Sequence, residues 1–255
     1  MQEYANSNAG IHNLDGLQIS EIELTSVWIG DADAVVYDSW TADGVGIIVC
    51  FGRGTQIDTA DGIVAVEDLD AGTRVITKDH GLQEVRWSKG RKLTAQDLAD
   101  NPNLRPIRIC KGALGHNLPE RDLIVSPQHS ILVSSKISER MFDGAEVLVA
   151  AKQLCEIDGI DVADDLTEIE YFHFLFDRHE IVVSNGVETE SLYPGSEALK
   201  SVGSEGRAEI FKIFPMLRAR GFTPPSARPI AKGRKGRKLA VRHAQNHKPL
   251  VAHLA

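Results

Sequence analysis

The chain has 255 residues, 42% of them hydrophobic and 25% charged, with a formal net charge of −8. These proportions exclude a wholly disordered, collagenous or coiled-coil protein and allow one large domain, or one core domain with smaller attachments. No apolar run approaches the length of a membrane-spanning helix, and the first residues lack the basic-then-apolar pattern of a secretory signal.

Residues 1 to about 46 carry short alternating runs, Leu17–Ser20, Ile22–Thr25 and Ala34–Tyr37, punctuated by Asp and Gly, which predict half-buried strands joined by tight turns. From Gly46 the pattern sharpens. Strands are predicted at Ile47–Phe51, Thr55–Asp58, Ile63–Val66, Arg74–Thr77 and Leu82–Trp87, with turns at Asp61-Gly62 and Asp79-His80-Gly81. Thr94–Leu98 reads as one short helix, Thr94 as its N-cap and Asp97 at the third position, ended by Pro102. Strands resume at Pro106–Cys110, Asp122–Val125 and Ile131–Ser134, and Val147–Leu154 reads as a strand running into a helical turn. The last β region is Tyr171–Phe176, then Glu180–Val183 and Val187–Leu192, with Asn185-Gly186 as the hairpin turn between the final pair. After Pro194-Gly195 the character changes. Glu197–Val202 is loosely helical, Phe211–Phe214 offers apolar anchor points, and residues 220 to 240, rich in Gly, Pro, Arg and Lys, are expected to leave the core.

Charge divides the chain. From Ile210 to the end there is no Asp or Glu and there are eleven Lys or Arg, so the first 209 residues carry 17 basic against 36 acidic groups. The body is acidic and the tail basic. The cluster Arg234-Lys235-Gly236-Arg237-Lys238 leaves nucleic acid open as a partner, but residues 223 to 255 hold no Phe, Tyr or Trp to stack on bases, so binding is not expected. The cysteines, Cys50, Cys110 and Cys155, lie far apart with no CxxC pair. Neither a structural zinc site nor a fully paired disulfide framework follows from them, and a free cysteine is by default a small buried hydrophobe.

Five residues make a possible chemical constellation: Cys50, Ser126, His129, Asp177 and His179. A cysteine becomes a nucleophile when its pKa is lowered or a base stands beside it, and a histidine can serve as that base or as an acid toward a leaving amine. His129, His173 and His179 are far apart in sequence but can converge in a compact fold. The bland alternatives are a surface network for Asp177 and a half-buried, aromatic-like role for His173. Gly52-Arg53-Gly54-Thr55 is glycine-rich, yet no Gly-Lys-Ser/Thr follows, so a phosphate-binding loop is excluded.

The order of blocks is more specific. Cys50-Phe51-Gly52-Arg53-Gly54-Thr55-Gln56-Ile57 resembles the opening block of Hint (hedgehog/intein) domains, in which a cysteine leads into a Gly-Thr-x-Ile strand. Val66-Glu67-Asp68-Leu69 and Gly72-Thr73-Arg74-Val75 continue the likeness. Ser126-Pro127-Gln128-His129 is similar to the family's Thr-x-x-His block, with Ser in place of Thr. Asp177-Arg178-His179-Glu180-Ile181 through Asn185-Gly186 resembles the block near the C-terminal end. Arg105–Ile109 and Gly112–Gly115 add to a resemblance with a bacterial subgroup of Hint proteins that spans about 145 residues, Cys50 to about Pro194.

The resemblance implies an all-β fold, a curved horseshoe-like β architecture with pseudo-twofold halves. It divides the chain into a β-rich leader at 1–49, an autoprocessing domain at 50–194, and an irregular or weakly helical extension with a basic tail at 195–255. It also implies a reaction. The thiol of Cys50 attacks the carbonyl of Val49, and the peptide bond is exchanged for a thioester. His129 protonates the departing nitrogen, Ser126 hydrogen-bonds at the scissile amide, and His179, with Asp177, completes the site. Thr189-Glu190-Ser191 stands where an intein carries His-Asn before Cys, Ser or Thr, so splicing is not expected, and replacing Glu190 or Ser191 is expected to leave N-terminal cleavage largely intact. The substrate in cis is the chain's own N-terminal segment, and the acceptor nucleophile is open. No metal or organic cofactor is required. Location is left between the cytoplasm and export without a signal peptide. The competing readings are a Hint scaffold that no longer cleaves, serving as an interaction module, and a cysteine hydrolase acting in trans.

Overall fold

The computed structural model describes residues 49–142, 144–193, 199, 202–219 and 225–251. Contacts divide the chain into units Met1–Tyr37 and Asp38–Ala255. The strands expected at Leu17–Ser20, Ile22–Thr25 and Ala34–Tyr37 lie outside the described residues, as do most of Glu197–Val202.

In chain order the strands are β1 Phe51–Gly52, β2 Gln56–Thr59, β3 Gly62–Ala65, β4 Arg74–Thr77, β5 Gly81–Glu84, β6 Trp87–Leu93, β7 Ile107–Ile109, β8 Leu123–Val125, β9 Ser130–Ser134, β10 Glu146–Ala150, β11 Ile160–Val162, β12 Ile169–Leu175, β13 Ile181–Ser184 and β14 Val187–Glu190. The helices are α1 Ala95–Asp100, α2 Lys136–Phe142, α3 Gly203–Ile213 and α4 Gly233–Asn246. One sheet has the order β11-β7-β8-β1-β12-β6; the other has β10-β9-β14-β13-β2-β4-β5, with β3 paired to β2. The main apolar core draws on both, from Phe51, Ile107 and Phe174 of the first to Ile57, Val75 and Ile131 of the second.

Local chemistry explains the elements that the sequence marks. Thr94 and Asp97 form a reciprocal capping box on α1. Asn185 (φ 48°) and Gly186 (φ 81°) both take the left-handed conformation that a two-residue hairpin requires, and β13 and β14 pair around them. Asn185 also ties this turn to its neighbours: its Oδ1 accepts from the Gln56 amide at 2.8 Å and its Nδ2 donates to the Asp122 carbonyl at 3.0 Å.

The all-β expectation is wrong. The fold is mixed α/β, with a β-sheet core and, among the described residues, the α-helices α1 to α4. The helices are easily missed because their apolar stripes are narrow and set among glycine and charge. In α4 the buried positions are Gly236, Leu239, Ala240 and His243, spaced three, one and three apart as one helical face requires, while Arg234, Lys235, Arg237, Lys238 and Arg242 are exposed.

The expectation that residues 220 to 240 leave the core fails for the same reason. Leu239 and Ala240 belong to the main core, and the strand-like approach to α4 bonds to β10 through Leu148 N–H to Pro229 O (2.9 Å) and Ala231 N–H to Leu148 O (2.8 Å). Arg228 clamps this approach by donating to Glu146 and to both oxygens of Asp79. No helix among the described residues is long and apolar enough to cross a membrane.

Candidate active site

Two strand registers place Cys50. β1 lies between β8 and β12, with Phe51 opposite Val125 on one side and Phe172 on the other. One residue back along each antiparallel register, Cys50 meets Ser126 and His173. The contacts follow that geometry. The Cys50 amide donates to Ser126 Oγ at 2.9 Å, and the Ser126 amide donates to the Cys50 carbonyl at 3.0 Å. Cys50 Sγ lies 3.4 Å from His173 Nδ1.

Ser126-Pro127-Gln128-His129 is the tight passage from β8 into β9, closed by the His129 amide bonding to the Ser126 carbonyl at 3.0 Å. It carries His129 back toward the cysteine, where Nδ1 sits 3.1 Å from the Cys50 carbonyl oxygen. A carbonyl only accepts, so Nδ1 holds the proton, and the second nitrogen, Nε2, is buried with no hydrogen-bond partner among the described residues. The ring packs edge-on against Phe51 at 4.3 Å between centroids.

The site is dry. Cys50 is 4% exposed, and burial pushes its thiol well above the usual cysteine range, only partly countered by the charge of Arg91 and by Ser126. Burial pushes His173 down to about 4, with Lys89 and Arg91 adding to it. His129 is pushed down to about 4 by burial, against the opposing pull of Glu190 and the Cys50 carbonyl. At neutral pH the thiol therefore keeps its proton and faces a neutral imidazole. His173 is held in turn by Trp87, stacked at 5.2 Å, whose Nε1 donates to Glu209 of α3 at 2.7 Å.

A second buried group adjoins this one. His179 Nδ1 accepts from the Ala227 amide at 3.2 Å, which leaves the ring proton on Nε2. That nitrogen lies 3.2 Å from Glu190 Oε2, a close contact without the geometry of a hydrogen bond. Glu190 Oε1 accepts from the Ser130 amide, next to His129, at 2.7 Å.

Of the residues singled out from the sequence, Cys50, Ser126 and His129 come together as one cluster, and His179 joins the adjoining group. Asp177 does not: its side chain is 66% exposed and pairs with Arg86 at 3.4 Å, because β12 ends at Leu175 and the chain turns out to solvent. His173 is the residue that sequence reasoning passed over. A lone histidine inside the apolar strand Ile169–Leu175 was the available signal, and only the pairing of β12 with β1 gives it meaning. All three cysteines are free, with Cys110 and Cys155 half-buried. No cluster of metal-ligating side chains occurs among the described residues.

Comparison with known proteins places the chain in a family. Solved structures similar to the chain include a bacterial intein-like domain from Clostridium thermocellum (18% identity, TM-score 0.38), for which the alignment covers 56% of this chain and 97% of that one. The gp41-1 intein (14%, TM-score 0.32; 55% and 97% covered) and the MchDnaB-1 intein (9%, TM-score 0.37; 55% and 98% covered) are also similar. No curated protein sequence matches the chain. The model of the Hint domain matches residues 49–196, more than half of the 255 residues. The chain belongs to the Hint domain family.

Proposed function

We propose that this domain cuts its own chain once at the Val49–Cys50 bond, converting the peptide bond to a thioester and releasing or transferring the segment that ends at Val49. The observation that carries the reading is the thiol of Cys50 at 3.4 Å from His173 while the amide of the same residue is held by Ser126. Val49 is half-buried against the apolar group that includes Cys50, Trp87 and Ile210, which holds the upstream residue beside the nucleophile.

The chemistry runs as follows. His173 Nδ1 takes the thiol proton as Sγ attacks the Val49 carbonyl carbon. The tetrahedral intermediate collapses as the Val49 C–N bond breaks and the Cys50 nitrogen takes up a proton. The products are a thioester between Val49 and Sγ and a free amine on Cys50. Water or another nucleophile then breaks the thioester and restores the thiol. Ser126 Oγ, 2.9 Å from the departing nitrogen, holds the amide in place. His129, with Nδ1 on the carbonyl of Cys50, reaches the other end of the same residue. The family's acid role for this histidine therefore asks for a short shift of its proton from the carbonyl to the nitrogen.

A cleavage time course at neutral pH tests the reading. Cys50→Ala is expected to stay intact, and His173→Phe, which keeps a ring against Trp87 but removes the base, is expected to slow cleavage on the order of a hundredfold. Cleavage of Cys50→Ala at the parental rate would overturn the mechanism. An intact parental chain under all conditions would instead make this an unreactive Hint scaffold.

A further inference from the structure

Glu190 stands where an intein carries His, beside the missing Asn that makes splicing unexpected, and from sequence alone its replacement is expected to matter little. The structure puts its carboxylate in the middle of the buried cluster. Glu190 is 3% exposed. Its Oε1 takes the Ser130 amide at 2.7 Å, and its Oε2 faces His179 Nε2 at 3.2 Å. His179 Nδ1 accepts from the Ala227 amide, which turns Nε2 toward the carboxylate. His129, one residue before the Ser130 amide that Glu190 holds, has a buried Nε2 with no hydrogen-bond partner among the described residues.

From this arrangement we infer that Glu190 is a positioning residue for the self-cleavage proposed above, a fixed buried anion that stabilises the charged form of His129. The proton balance is simple. Nε2 of His129 first takes up a proton, which requires water to reach this buried nitrogen, Nδ1 then gives its proton to the departing Cys50 nitrogen, and the thiol proton passes to His173. No net proton is consumed, and the positive charge on His129 is transient. Burial alone makes that charge costly, and a neighbouring carboxylate is what offsets the cost. Among the described residues, Glu190 from the end of β14, His179 from the segment before β13 and Cys50, just before β1, act on His129; the negative charge of Glu190 favours the protonated ring, and a positive charge on His179 would oppose it. The anchor of the arrangement lies outside the span shared with the family: Ala227 and Ser226, which meets His179 Nδ1 at 3.3 Å, belong to the extension that follows it. The extension thereby sets the tautomer of His179 and, through it, the place of the carboxylate.

Two measurements test the inference. In the cleaving protein, Glu190→Gln keeps the shape and removes the charge. It is expected to slow cleavage at least about tenfold while leaving the urea midpoint unchanged or higher, since a buried charge is removed, and Glu190→Asp is expected to recover part of the rate. A loss of rate matched by a loss of stability, or no loss of rate, would overturn it. The second measurement does not depend on cleavage. In the Cys50→Ala background, imidazole NMR follows His129 as pH is lowered, with and without Glu190→Gln. The Gln variant is expected to hold His129 neutral to lower pH. Identical His129 curves in the two proteins, whatever their midpoint, overturn the inference even if Cys50-dependent cleavage stands.

Discussion

Cys50 gains its surroundings from residues 76 and 123 positions away, Ser126 and His173, and the two histidines nearest it are both kept neutral by burial. This has a consequence for stability. An unfolded histidine titrates near 6.5, whereas His129 and His173 in the fold titrate at about 4. Between those values the unfolded chain binds more protons than the folded one, so acid favours unfolding. The contribution is fully present above about pH 6.5 and is lost as pH falls toward 4. At about 1.4 kcal/mol per unit of difference, each histidine costs the fold on the order of 2 kcal/mol by pH 5. The urea midpoint is expected to drop between pH 7 and pH 5, and His173→Phe is expected to flatten that drop; an equal slope in both proteins would contradict the burial of a neutral His173. At this scale the sequence reveals only part of the site. Cys50, Ser126 and His129 stand in recognisable blocks because their spacing along the chain is itself the signal. His173 carries no such spacing, since its partner is set by strand pairing, and Glu190 reads as a loss because its use depends on His179 and Ala227 folding around it.

The elements were legible where local chemistry speaks. The capping box of α1 and the Asn185-Gly186 hairpin follow from residue type alone. The stretch from Leu82 to Trp87 shows the limit: it divides into β5 and β6, and β6 runs on to Leu93 through Ser88, Lys89, Gly90, Arg91 and Lys92, a polar sequence that is a strand only because β12 pairs with all seven of its residues. Gly90 there faces Phe172 so closely that a Cβ would lie 2.5 Å from its ring. Helix α4 is the converse case, a basic segment whose few apolar residues do the docking. Leu239 is fully buried in the main core, so Leu239→Ala is expected to cost about 2–5 kcal/mol, read as a lower urea midpoint. A midpoint unchanged by that substitution would return the basic segment to the status of a loose tail.

At the scale of the whole molecule, two sheets meet where β8 passes into β9, and that passage is the Ser126–His129 block itself. The first sheet supplies the cysteine and His173, the second supplies Glu190 and the strand that follows His129, and the C-terminal extension closes both sides. It does so through Glu209 on Trp87 and through Ala227 on His179. The extension thus packs on the side chains that surround Cys50, though the family likeness ends before it. The central claim is that Cys50 forms a thioester with Val49, and the most direct measurement is the intact mass of the purified chain after treatment with hydroxylamine, a nucleophile that intercepts thioesters. A fragment ending at Val49 as its hydroxamic acid and a complementary fragment beginning at Cys50 are expected, both missing from Cys50→Ala. An unchanged mass, or cleavage at any other bond, would contradict it.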